Sequence, residues 1–157
     1  MQKKLVFGIL ILMLLPGCGK FYVGSYDEDK AFQKTNPFVK ILLIQEDIQS
    51  AYNLIGNKEN ITYSDFEGQT SALLAKFDSK FGKTQRLKPT AFAPFHDSSD
   101  QQGLLVLYDA MREKGISYVL VKLLGKGASE YKIIGFILRG EPFPGKYISY
   151  RKSMTVE

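Results

Sequence analysis

The chain has no tryptophan, one cysteine and one histidine. A lone cysteine, Cys18, excludes an internal disulfide. A lone histidine, His96, leaves too few donors for a zinc site of three or four protein ligands, so no metal is expected. It also leaves the serines without a usual general base, because His96 lies in PFHDSSD, where Asp97 suits a turn better than it orients an imidazole. No cofactor fingerprint is present either: GKGAS, residues 125–129, lacks the glycine spacing of a phosphate-binding loop. A strong excess of one charge is missing. The formal charge of +5 falls to +3 once Lys3 and Lys4 are set aside with the segment they open. The densest basic group, Lys80, Lys83, Arg86 and Lys88, reads as a solvated edge, so nucleic acid is not an expected partner.

Long apolar runs are absent too, with one exception. Leu5 to Leu15 is eleven residues of apolar side chains and one glycine. As helix it reaches about 16 Å, against a hydrocarbon core of roughly 30 Å, so it is too short to stay in a membrane. Two lysines before it and Pro16-Gly17 after it complete the order of a cleaved export signal. The residues Leu15-Pro16-Gly17-Cys18 resemble the lipobox of bacterial lipoproteins. That resemblance implies diacylglycerol on the Cys18 sulfur, cleavage just before it, and a further acyl chain such as palmitate on the new amino terminus. Two or three chains hold a protein stably at a bilayer where one does not. Gly19, where an aspartate would signal inner-membrane retention, implies the outer membrane facing the periplasm in a diderm envelope. In a monoderm the same anchor implies the outer face of the cell membrane.

The division that follows is a signal peptide over 1–17, a lipidated cysteine and flexible tether over 18–36, a domain over 37–144, and a basic tail over 145–157, either disordered or an extra edge strand. Asn36 and Pro37 read as the cap and first residue of a helix. Its apolar stripe runs Ile41, Ile44, Ile48, Ala51, Ile55 to Gly56, with a break at Glu46-Asp47 left open. Ser64 and Glu67 read as a capping box for a second helix, buried through Phe66, Thr70, Leu73, Leu74, Phe77 and Phe81 and closed by Gly82. The period then becomes extended. Strands are expected near Arg86 to Phe92, with Pro89 at an edge or bulge, then over Leu104 to Met111, Ile116 to Leu124 and Tyr131 to Leu138. The class is α+β: two or three N-terminal helices on a curved antiparallel sheet of about four strands.

A two-residue turn at Lys114-Gly115 sets Tyr108 opposite Val121, Val106 opposite Leu123 and Ala110 opposite Val119, giving one apolar face toward the helices. Asp109 then falls diagonally near Lys122 on the other face. That face also carries Leu105, Leu107, Met111, Tyr118, Leu120, Ile134, Phe136 and Leu138, too apolar for a sheet side left in water. A partner subunit, the chain's own tail or a ligand is expected to cover it.

FGKTQRLKPTAF, GLLVLYDAMREKGISYVLVKLL and EYKIIGFILRG resemble an uncharacterised family of exported domains in the nuclear-transport-factor-2-like, or cystatin-like cone, superfamily. The likeness covers roughly residues 37 to 140; Tyr131 stands where that family often has tryptophan. It implies a cone that holds isomerases and dehydratases but also binding and dimerisation modules, so fold alone does not decide activity. The reading is a lipid-anchored envelope protein without catalytic residues or cofactor. It binds a small apolar ligand in its cone, or pairs as a homodimer through the apolar face. Asp109, Tyr118, Lys122 and Phe136 are the pocket or interface candidates. The alternative is a small isomerase or dehydratase with Asp109 as general base and Tyr118 or Tyr108 as oxyanion donor.

Overall fold

The computed structural model describes residues 26–96, 102–125, 131–149 and 156. Residues 1–25, with the export segment, Cys18 and the start of the tether, lie outside them. Helix α1 is Glu28–Leu43, α2 is Ile48–Asn53 and α3 is Tyr63–Phe81. Strands β1 Thr84–His96, β2 Gln102–Arg112, β3 Gly115–Leu124, β4 Lys132–Arg139 and β5 Ile148–Ser149 form one antiparallel sheet in the order β4-β3-β2-β1-β5. Three helices pack against these five strands, so the architecture is α+β.

The first helix begins well before Pro37. Asp27 is its cap, accepting from the Lys30 N–H at 3.0 Å, with Glu28 and Asp29 in the positive first turn. Ala31, Phe32, Thr35, Phe38, Val39, Leu42 and Leu43 form its buried stripe, so residues 28–36 belong to the packed domain and not to a tether. Proline is tolerated at position 37 because Pro37 and Gln33 are both exposed, and the Gln33 carbonyl that loses its donor faces water. The stripe expected through Ile41 and Ile44 is the half-buried flank of this face. Each fully buried aliphatic or aromatic side chain here contributes roughly 1.5–3 kcal/mol. The break at Glu46-Asp47 is real: Glu46 takes a left-handed φ of 55°, and Asp47 caps α2 by accepting from the Ser50 N–H at 3.0 Å.

Helix α3 buries Phe66, Thr70, Leu74 and Phe77 and ends at Gly82, whose φ of 74° suits glycine. Its cap is Thr62, not Ser64. The Thr62 hydroxyl oxygen accepts from the Asp65 N–H at 3.2 Å and donates to the Asp65 carboxylate at 2.6 Å, while Glu67 accepts from the Tyr63 hydroxyl at 2.8 Å. The cap therefore lies two residues earlier than Ser64 and Glu67 suggest.

The β2–β3 turn is Glu113-Lys114, so Tyr108 faces Val119, Val106 faces Val121 and Ala110 faces Ser117. Register is displaced by two residues from the Lys114-Gly115 turn, and a two-residue slip leaves every side chain on its expected face. The turn is placed by contacts from outside the hairpin: the Glu113 N–H donates to the Lys83 carbonyl at 3.2 Å and the Lys114 N–H to the Phe81 carbonyl at 2.9 Å. A one-residue difference does matter in β4. A register shift between Lys122 and Leu123 makes Ile134 a bulge, which turns Phe136 and Leu138 inward opposite Val121 and Val119 and leaves Ile137 outside. Phe136 and Leu138 therefore leave the outer face and join the core, where Phe136 meets Phe38 at 5.9 Å and Phe66 at 6.2 Å between ring centroids. Strand β1 is longer than expected and carries shifts at Thr84/Arg86 and at Pro89/Ala91, so Pro89 sits at an irregularity as proline in a sheet should. A fifth strand replaces the four-strand sheet: Ile148 and Ser149 pair with Phe92 and Ala91, and Val156 bridges Leu87.

Two polar clusters sit inside this frame. The Tyr108 hydroxyl donates to the Asn36 carbonyl oxygen at 2.6 Å and meets the Thr35 hydroxyl, tying α1 to the middle of β2. At the far end Arg112, whose side chain is 1% exposed, donates to Ser117 Oγ, Asp78 Oδ1 and the Gly82 carbonyl, each at 2.8 Å. Asp78 is shared with Lys83, which also binds Glu46 at 2.6 Å. Burial alone would raise the Asp78 carboxyl, but the hydrogen bonds and charges of Lys83 and Arg112 outweigh it and hold it below the usual carboxylate range. A depressed carboxylate stabilises the fold above its unfolded pKa of about 3.9 and loses that contribution as pH falls through the lower folded value. Acid melts from pH 6 to pH 2 should therefore show stability falling below about pH 4. Asp78→Asn should be less stable at pH 7, by about 3 kcal/mol, with a flatter acid limb.

Candidate functional site

The expected site residues divide between the two faces of the sheet. On the outer face, Asp109 of β2 stands opposite Tyr118 of β3 on one side and Lys88 of β1 on the other. Lys122 is not its partner. It lies opposite Leu105, four positions along β3 from Tyr118, and places its Nζ 4.4 Å above the Phe95 ring. Burial raises the Asp109 carboxyl above its ordinary value, and the Lys88 charge works against that shift. Leu107 and Leu120 beside these groups are 9% and 6% exposed, whereas Ile116 and Ile137 at the margin are 43% and 52% exposed. The outer face is thus apolar in its middle, crossed by Lys88, Asp109, Lys122 and Arg139.

Tyr108 points the other way, as its register demands, and its hydroxyl is already bonded to Thr35 and Asn36. Asp109 and Tyr108 do not share a site. His96 ends β1 opposite Gln102, and Asp97 lies outside the described residues. Of the basic group, Lys83 is held by Glu46 and Asp78, Lys88 flanks Asp109, and Lys80 rests 5.0 Å over Phe81, so the four do not form one patch. Among the described residues no three His, Cys, Asp or Glu side chains come together as metal donors, and no helix is long and apolar enough to cross a membrane.

Phe136 is the candidate that meets a cavity. A half-open cleft of about 150 Å³ lies between α3 and β4, walled by Ile55, Ile61, Phe66 and Leu73, with Gln69 and Thr70 as its polar members. Its other wall is Ile134, Gly135 and Phe136, the stretch bent by the bulge. Gly135 contributes backbone to this wall: it lies opposite Lys122, so a Cβ there would project from the outer face, where it meets no atom within 4 Å. The lower rim is closed by a parallel bridge between Ile55 and Ile133, fastened by the Gly56 N–H to the Ile133 carbonyl at 2.8 Å. An apolar space of about 150 Å³ is the size that accepts a benzene-sized guest. No titratable side chain lines it, so its chemistry is that of binding an apolar group next to an amide and a hydroxyl.

Two features were missed by sequence reading and carry signals nonetheless. Arg112 shares the inward parity of Tyr108 and Ala110, and an inward arginine requires a carboxylate, which Asp78 near the end of α3 provides. Gly135 interrupts the apolar strand KIIGFILR, and glycine inside a strand often marks a bulge or close approach. No family model, curated protein or solved structure matches the chain.

Asp109→Asn separates the structural from the chemical role of the carboxyl. An ionised carboxylate with a raised folded pKa is penalised above that pKa, and the penalty is relieved as pH falls through it. The amide should therefore melt at the same temperature or slightly higher at pH 7, and the wild type should converge on it in acid; a melting temperature clearly lowered at pH 7 would instead identify a stabilising pair with Lys88.

Proposed function

We propose that this protein is a lipid-anchored component of a bacterial cell envelope whose domain, a cone of the nuclear-transport-factor-2-like kind, acts by binding rather than by catalysis. The observation that carries the binding part is the cleft between α3 and β4, apolar and half-open. Its size favours one ring or a short branched aliphatic group over a steroid-sized substrate. The α+β arrangement of three helices on an antiparallel sheet is compatible with the cone. The Leu15-Pro16-Gly17-Cys18 sequence supports the anchor, with the domain on the periplasmic side of an outer membrane or the outer face of a cell membrane. Catalysis by Asp109 is disfavoured by its place on the opposite side of the sheet from the cleft and from Tyr108. Pairing of two copies through the outer face is the lesser binding mode, since Lys88, Asp109, Lys122 and Arg139 interrupt that face.

Two measurements test this reading. Mass spectrometry of the protein purified from membranes should find an amino-terminal Cys18 carrying diacylglycerol, and Cys18→Ser should abolish the adduct; a free thiol at Cys18 would refute the anchor. Titration of the purified protein with toluene, followed by NMR, should shift the ring signals of Phe66 and Phe136. Leu73→Trp, which enlarges a side chain lining the cleft, should remove that response without a large loss of melting temperature, and a wild type indifferent to toluene would refute the cleft as a binding site.

A further inference from the structure

The cleft is one end of a longer seam. Beyond it, the same helix and the same strand border a second groove of about 190 Å³, lined by Lys76, Phe77, Lys80 and Phe81 of α3 and by Gly140 and Glu141 just after β4. Lys80 Nζ lies 3.8 Å from where a Cβ on Gly140 would sit, so the ammonium overhangs the end of the strand. From Thr70 to Lys80 the helix rises about 15 Å, and from Gly135 to Gly140 an extended chain covers about 17 Å. The two grooves are therefore five to six extended residues apart. Between them runs β4, which is the edge of the sheet; among the described residues only Ile133, at its start, is bridged from outside the sheet. An edge strand presents backbone N–H and C=O groups that another strand can pair with.

From this juxtaposition we infer that the seam binds an extended peptide of about six residues, added as a further strand to β4. One large apolar side chain of that peptide enters the Phe66–Phe136 cleft, and an acidic group at its other end meets Lys76 and Lys80. Main-chain pairing with side-chain pockets at set intervals is the physics of recognition by strand addition. The cationic pair opposes a single carboxylate, Glu141, in its groove, so the complementary charge is negative. A fatty acid would match the apolar cleft and the ammonium groups, but its hydrocarbon would cover the edge backbone of β4 and leave its polar groups without partners. The peptide satisfies them.

This inference rests on the proposed binding role of the cleft and adds the class of ligand. The test selects heptapeptides from a phage-displayed random library on the full chain in detergent, then measures synthetic copies by fluorescence anisotropy, with toluene and palmitate as separate probes. The expected binders share one large apolar residue spaced four to six positions from Asp or Glu. Their affinity should drop at least roughly tenfold on N-methylation of alternate backbone amides, since several hydrogen bonds go together. It should drop similarly in Leu73→Trp, which fills the cleft, and several-fold in the Lys76→Glu/Lys80→Glu double variant. Toluene binding without any selected peptide would overturn the strand-addition inference while leaving the cleft as a binding site. Failure of both probes would overturn both. Binders insensitive to N-methylation, or competitive displacement of every peptide by palmitate at stoichiometric amounts, would reassign the seam to a ligand that does not pair with β4.

Discussion

The arrangement of this domain depends on one buried guanidinium. Arg112 ends β2 with its side chain almost wholly out of water, and a charge so placed is tolerable only if it is paired and hydrogen-bonded. Its partners come from three places: Asp78 near the end of α3, the carbonyl of Gly82 that closes that helix, and Ser117 across the hairpin. Its cation also sits 5.7 Å over the Phe77 ring. Meeting those demands together sets the distance between the helix end and the hairpin turn, and with it the position at which α3 crosses the sheet. Lys83 extends the same cluster to Glu46, which fixes the left-handed corner between α1 and α2. Corner, helix end and hairpin turn are thereby held by a single set of charges.

How much of this the sequence discloses depends on whether a feature is local. Helix α3, its buried face and its terminating glycine are local patterns of period and capping, and they read correctly to within two residues. The central hairpin declares its two faces by alternation, and its faces survive a wrong turn because the slip is even. Features decided from a distance are not legible in this way. The turn lies at Glu113-Lys114 because the Lys83 and Phe81 carbonyls, some thirty residues away, accept its N–H groups. The start of α1 was obscured by Pro37, whose local meaning as a first helical residue is overridden by burial of Ala31, Phe32 and Thr35 on one side and solvent on the other.

The candidate site shows the same division more sharply. Of the four candidates Phe136 alone lines the cleft, and strict alternation puts it on the opposite face because that pattern makes no allowance for a bulge at Ile134. The bulged stretch Ile134-Gly135-Phe136 is also the part of β4 that lines the cleft. Asp109 stands out as a carboxylate inside an apolar strand, and its cross-strand neighbours are Lys88 on one side and Tyr118 on the other. An unusual residue type draws the eye along a sequence; a register shift such as the one at Ile134 does not, although here it decides which side chains of β4 face the cleft.

The proposed anchor at Cys18 and the proposed edge-strand seam would reinforce one another. Eight residues lie between Cys18 and the Asp27 cap, and these nine steps of chain span at most about 30 Å however they are arranged. A domain held that close to a bilayer meets other surface-bound chains at high effective concentration, because the first attachment has already restricted both partners to one layer. Under that condition the recognition step need not be tight. One ring-sized cleft, a few main-chain hydrogen bonds and a pair of surface lysines would form a weak site if both partners were free in solution. On a shared membrane the same site would be sufficient, and its weakness would keep the contact reversible.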